Sequence, residues 1–370
     1  MFTRRAFVAG SITFAAGCGR KKGTGFPGYA FVANEEAGTV SAVDLTSFSV
    51  ARHIRLDGYP SELIAHPTSP MLYGLTPGNG TVHEIDAREL TVVRKRKVAA
   101  SASGMRLTPD AAALWVLSPE AKRLIRLPLS GFNVDAHISL PLEPTDFDLS
   151  RYFAKAAVSH GPEGALTLVD LDTRSAGAPH RIGKDAGVVR FRYDGRQVLV
   201  CSPSERLLSV IDTASRRLVV QLPLAIEPRH FCFKRDGGQL FVSGPGMDAI
   251  VVVYPYDTQV AETVLAGHAP GFMASSSQPE YLFVTNPQSG EVTILDIDAG
   301  RAIAVARVGS EPSFVEITPD NQYALVLNRG SGDMAVIRMA AITANRTRTA
   351  PLFTMIPVGS RPVSAAVRAI

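Results

Sequence analysis

The sequence predicts an all-β chain folded as a β-propeller of eight four-stranded blades, closed by the C-terminal strand pairing with the N-terminal blade. Three observations carry this. Short strand-like runs recur every 42 residues, the first copy lacks its first run, and a lone first run ends the chain.

The unit is clearest in residues 270–311. Four runs rich in Val, Ile, Leu and Phe are separated by Ser-Gln-Pro-Glu, Asn-Pro-Gln-Ser-Gly and Asp-Ala-Gly. β-branched and aromatic runs broken by Gly, Pro and Asn read as strands joined by tight turns. Four such strands in about 42 residues is the size of a propeller blade. The first strand opens at Pro60, Ala102, Pro144, Ala186, Pro228, Pro270 and Pro312, in steps of 42, and at Pro362 after a step of 50. The second strand keeps the phase: MLYGLT from Met71, ALWVLS from Ala113, KAAVSH from Lys155, QVLVCS from Gln197, QLFVSG from Gln239, YLFVTN from Tyr281 and YALVLN from Tyr323. The same register places a further copy at Tyr29, where YAFVAN stands. Residues 29–57 therefore hold strands two to four of a blade, and Pro362 to Ile370 supplies its first. Closing the ring in this way satisfies edges that would otherwise stay unpaired. Seven blades is the alternative, should the irregular unit from Pro144 to Asp185 not form one.

The third strand ends in Asp in five units, at Asp44, Asp86, Asp170, Asp212 and Asp296. Carboxylates in register could be ligands. An Asp followed by Thr, Ser or Ala at a strand end more simply caps the hairpin through backbone N–H groups. Pro109-Asp110, Asp194-Gly195, Asp236-Gly237 and Pro319-Asp320-Asn321 are turns between first and second strands. The last unit's extra residues, with Arg346 and Arg348, fall on that same face. Arg94-Lys95-Arg96-Lys97 lies on an outer strand, where basic residues discourage edge-to-edge pairing. With a net charge of only +4 and no interleaved aromatics, nucleic acid is not expected as a partner. Cys201 and Cys232 sit in apolar runs and read as buried thiols.

Residues 1–18 read as an export signal: Arg4-Arg5, an uncharged stretch, then Gly17-Cys18. Thr3 to Val8 resembles the twin-arginine motif. Ala15-Ala16-Gly17-Cys18 resembles a bacterial lipobox, although Ala15 stands where Leu is usual. Cys18 is then the lipidated residue and residues 19–28 a tether. The expectation is an exported lipoprotein, periplasmic or at the cell surface, with a single propeller domain over residues 29–370.

The second strand Phe283-Val284-Thr285-Asn286, the VIDT string at Val210 to Thr213, the Thr-Pro-Asp turns and Gly309-Ser310-Glu311-Pro312 together resemble the YVTN family of β-propeller repeats. The resemblance covers residues 29–370. It implies the fold and says little of function. Relatives by fold include lactonases and tetrapyrrole-binding propellers.

Loops from strand four to the next strand one, and from strand two to strand three, open on one face. Polar residues converging there form the default ligand pocket. They are Asn34, Tyr59, Glu143, His160, Asp185, Glu227, Arg229, His230, His268, Asn286, Asn328, Arg329 and Arg361, with Glu311 beside them. His230 stands out because it lies one residue into an inner strand. His66, His83 and His137 read as surface groups. Metal, haem-attachment, phosphate-loop and nucleophile-elbow motifs do not occur. The leading expectation is a non-enzymatic propeller that binds a small molecule or protein at this face. A lactonase-like hydrolase using Glu227, Arg229 and His230 is one alternative. A tetrapyrrole carrier with His230, His160 or His268 as axial ligand is the other.

Overall fold

The computed structural model describes residues 25–342 and 351–370. The signal, Cys18, Arg346 and Arg348 lie outside the described residues.

Eight antiparallel sheets follow one another around a ring. In the complete units the order from inside to outside is the chain order. The sheet from Met273–Ser275 through Tyr281–Asn286 and Glu291–Asp296 to Arg301–Arg307 is an example. The closing blade is built from both ends of the chain. Pro362–Ala369 is its inner strand, followed by Gly28–Asn34, Thr39–Asp44 and Ser49–Arg55. Tyr29 pairs with Arg368 and Val32 with Ala365, and the register slips at Asn34. The unit opening at Pro144 is also a blade. Its outer strand is split into Ser175–Ala176 and His180–Arg181. Pro179, between the pieces, cannot donate to a ladder.

Packing follows from strand position. The two central strands of each blade are covered on both faces, so they read as continuous apolar runs. YLFVTN is buried from Leu282 to Asn286. Outer strands such as Gln259–Leu265 have one buried residue, Val264. Alternation sends successive side chains to opposite neighbours. Ala30 and Val32 pack toward Leu325 and Val336 of the preceding blade, whereas Phe31 and Ala33 pack toward Leu63 and Leu72 of the next. Each buried side chain of Val or Leu size contributes roughly 1.5–3 kcal/mol. The described residues form eight such cores, as eight interfaces in a closed ring require.

The five strand-end aspartates are turn caps. Asp44 Oδ1 accepts from Thr46 N at 2.7 Å, Asp86 from Arg88 N at 2.7 Å, and Asp170 from Thr173 N at 2.8 Å. Asp212 accepts from Ser215 N at 2.7 Å and Asp296 from Ala299 N at 2.9 Å. The basic run occupies the outer strand Thr91–Lys97, where Arg94 pairs with Glu84 and Lys95 with Asp57.

Two expectations change. The propeller begins before Tyr29, because Phe26 is buried in the core and Gly28 is already in the closing blade. The tether therefore cannot extend to residue 28. His83 is not a surface group. It lies on a third strand, covered by the preceding blade, at 1 % exposure, and its ring bonds to Asp57. His66 bonds within its turn, and His137 is exposed on an outer strand. Cys201 and Cys232 are free thiols, pushed up by burial to about 12 and about 11.

Candidate functional site: the axial channel

The inner strands line the channel, and alternation decides which side chains face it. The second and fourth residues past each strand-opening position point inward. They bring Glu62, Asp146, His230, Phe272 and Phe314 to an upper cavity of about 790 Å³, below the loop-rich face. A lower cavity of about 430 Å³ opens toward the other face, past Asp148, Cys232 and Arg235. Arg190, Phe272 and Glu316 border both, so they form the waist between them.

One side of the upper cavity is a chain of alternating charges. Glu62 Oε1 lies 2.9 Å from Arg106, whose other nitrogen lies 3.5 Å from Asp146 Oδ1. Asp146 Oδ2 takes a 2.6 Å contact from Arg190. Burial raises Glu62 and Asp148 above the usual carboxylate range, against the pull of neighbouring arginines. Burial works against the Arg190 charge, but Asp146 and Asp148 outweigh it and hold the guanidinium cationic.

The opposite side is aromatic. Phe272 and Phe314 stack at 4.6 Å, and His230 meets Phe272 edge-on at 6.1 Å. The His230 ring is open to the channel yet walled by protein. Burial, then Arg229, lowers its pKa, so the imidazole is neutral at neutral pH. Its ring nitrogens have no hydrogen-bond partner among the described residues.

Of the residues expected from sequence, His230 alone borders this cavity. Asn34, Asn286, Asn328 and His160 are fully buried inside the blades. Asn286 donates to Ala266 O, and Asn328 to Asp333. Asn34 donates to Ser41 Oγ at 2.8 Å. His160 uses both ring nitrogens, with Glu143 O and Thr167 Oγ1. They end second strands, and both faces of a second strand are covered. Gly244, at the same position, has φ +158°, and a Cβ there would meet Glu227 O at 1.8 Å. The rim residues pair among themselves. Arg329 and Arg361 both contact Glu35, and His268 sits 3.0 Å from Asp248, which raises its pKa. Asp185 caps a turn through Ser202 and Ser204, while Glu143 and Tyr59 are exposed. Glu227 reaches Arg229 at 3.5 Å but makes no hydrogen bond to His230 among the described residues. The hydrolase trio is thus not assembled around a shared proton.

The sequence reading missed Glu62, Arg106, Asp146, Asp148, Arg190 and Glu316. The signal was present: charged residues at inward positions of otherwise apolar inner strands. Among the described residues no cluster of His, Cys, Asp and Glu could hold a metal ion, and no helix is long and apolar enough to cross a membrane.

Fold and channel define the class: an eight-bladed propeller with a ligand-sized axial cavity. No family model matches the chain, and no curated protein sequence matches it. Solved structures do. A dihydro-heme d1 dehydrogenase, NirN, in complex with DHE superposes with a TM-score of 0.75 at 16% identity, covering 92% of this chain and 75% of that one. A Kuenenia stuttgartiensis hydrazine synthase gives 0.61 at 19% identity, over 79% of this chain and 99% of the other. A functionally unknown protein from Desulfotomaculum acetoxidans DSM 771 gives 0.60 at 14%, over 77% and 96%. At these identities the likeness is one of fold.

Proposed function

We propose that this chain is an exported, membrane-tethered binding propeller whose channel takes a tetrapyrrole. The observation that carries the reading is the divided wall of the upper cavity, aromatic on one side and charged on the other. A tetrapyrrole is flat and apolar on its faces and carries anionic groups on its edge. Its faces suit Phe272 and Phe314, and its edge suits the guanidinium groups of Arg106 and Arg190. His230 offers a neutral, unpartnered nitrogen to a central iron. When bound, an iron tetrapyrrole supplies redox chemistry; the protein supplies orientation and exclusion of water. About 790 Å³ falls within the range of ligand sites, roughly 300–1,000 Å³. The likeness to a propeller solved in complex with DHE supports the same reading. The residues before the propeller support export, with Cys18 as the anchor.

Hemin added to the full chain tests it. The expected result is a saturable Soret shift, with His230→Ala changing the band position and Phe272→Ala weakening uptake about tenfold. An unchanged hemin spectrum, together with a flat visible spectrum for protein from its native host, would remove the proposal.

A further inference from the structure

Two opposite charges share the waist of the channel without meeting. Arg190 gives Nη1 to Asp146 and to Val189 O, and its Nε and Nη2 make no hydrogen bond among the described residues. Glu316, on the inner strand Pro312–Ile317, makes neither a side-chain hydrogen bond nor an ion pair among them. Both border the two cavities, so a third group can stand between them. We propose that Arg190 and Glu316 form a subsite for a ligand carboxylate, with Arg190 supplying the charge and Glu316 donating its proton. This rests on the tetrapyrrole reading and narrows it to carboxylate-bearing ligands.

The surrounding charges favour an anion. Across the lower cavity Glu316 faces Arg151, Arg190, Arg192, Lys234, Arg235 and Asp148, with Cys232 and Tyr193 beside them. Arg192 and Lys234 are engaged by Asp194 and Glu280. Across the upper cavity stand Glu62, Arg106, Asp146 and His230, three of them locked in the ion-pair chain. Neighbouring inner strands add no titratable side chain at the height of Glu316, where Ala274 and Ala366 stand. Arg190 closes that chain through Asp146, so Arg151 and Arg235 remain against Asp148 and Glu316, and with Glu316 protonated the excess is one positive charge. An ammonium group would meet like charge there. Burial pushes the Glu316 carboxyl up to about 7, with Arg235 holding it down only in part. A carboxyl half-protonated near neutrality can donate to a carboxylate, whose charge then holds the proton in place.

The probe is metal-free protoporphyrin IX, with affinity read by fluorescence between pH 6 and pH 9. Wild-type affinity should fall about tenfold per pH unit above 7, as Glu316 ionises in the free protein. Glu316→Gln should hold its affinity to within about twofold over the same span. Calorimetry in two buffers of different ionisation enthalpy should find about one proton taken up per porphyrin near pH 8, and none in the variant. Equal pH slopes in the two proteins, or equal proton uptake, would overturn this inference and leave the tetrapyrrole reading standing. A chain that takes up no porphyrin at any pH would overturn both.

Discussion

The carboxylate of Glu62 accepts a hydrogen bond from the backbone N–H of Met105, 2.8 Å away on the next blade. Asp146 does the same for Val189 N at 3.1 Å, and Asp148 for Phe191 N at 2.8 Å. These acids fasten neighbouring inner strands as well as charging the channel. Glu62→Ala leaves Met105 N and Arg106 short of a partner, and an unsatisfied buried donor costs about 1–3 kcal/mol. We expect a loss of that size in urea unfolding, with Glu62→Gln recovering part of it. An unchanged midpoint for Glu62→Ala would show the clip to be dispensable.

Removing residues 362–370 takes out the inner strand of the closing blade. Ala365 and Val367 leave one core and Ala366 another, Leu63 N loses Ser364 Oγ, and Gly28–Asn34 becomes a bare edge. The loss is several kcal/mol against a total stability on the order of 5–15 kcal/mol. The truncated chain should lose cooperative melting, and a peptide of those nine residues should restore part of it. Melting identical to that of the intact chain would contradict the closure.

Much of this was legible from spacing. Strand periodicity and turn residues are local, so the blades, the turn-capping Asp residues and the closing tail follow from the register. The site is less local. Asn34, Asn286 and Asn328 have the right positions for a mouth, but whether a strand's last side chain faces solvent or the next blade depends on ring packing. The 42-residue register says nothing of that. Glu62 and Arg190 hid for the opposite reason: in a strand read as core, an inward charge looks like an exception until the axis is seen to be open. His83 was misplaced because its partner, Asp57, belongs to a different blade.

Glu316 has a stability signature of its own. Its folded carboxyl titrates at about 7, above its ordinary value. Between those two values the native state holds the proton more tightly, so stability falls as pH rises through this window and is level above it. Glu316→Gln removes the ionisation. The variant should match wild type near pH 4.5 and exceed it by about 1–3 kcal/mol near pH 8. Denaturant midpoints at the two pH values measure this, and a gain equal at both would point to packing instead.

Asp57 gives the opposite sign. Hydrogen bonds from Lys95 and then His83 lower its pKa to about 2. A depressed carboxylate contributes stability that is present above its ordinary value and lost as pH falls toward 2. The Asp57 side chain is 48% exposed, so solvent screens the pair with Lys95 and the charge itself is worth about 1 kcal/mol or less. His83 is different, being buried, with Nδ1 already unpartnered. Asp57→Ala would leave both ring nitrogens without a protein hydrogen-bond partner, at a further cost of about 1–2 kcal/mol. Asp57→Asn keeps a carbonyl acceptor for His83 but loses the charge. The alanine variant should therefore be the less stable at pH 7, and the asparagine variant should converge on wild type as pH approaches 2. Equal stability of the two variants at pH 7 would mean that water inside the blade interface satisfies His83 instead.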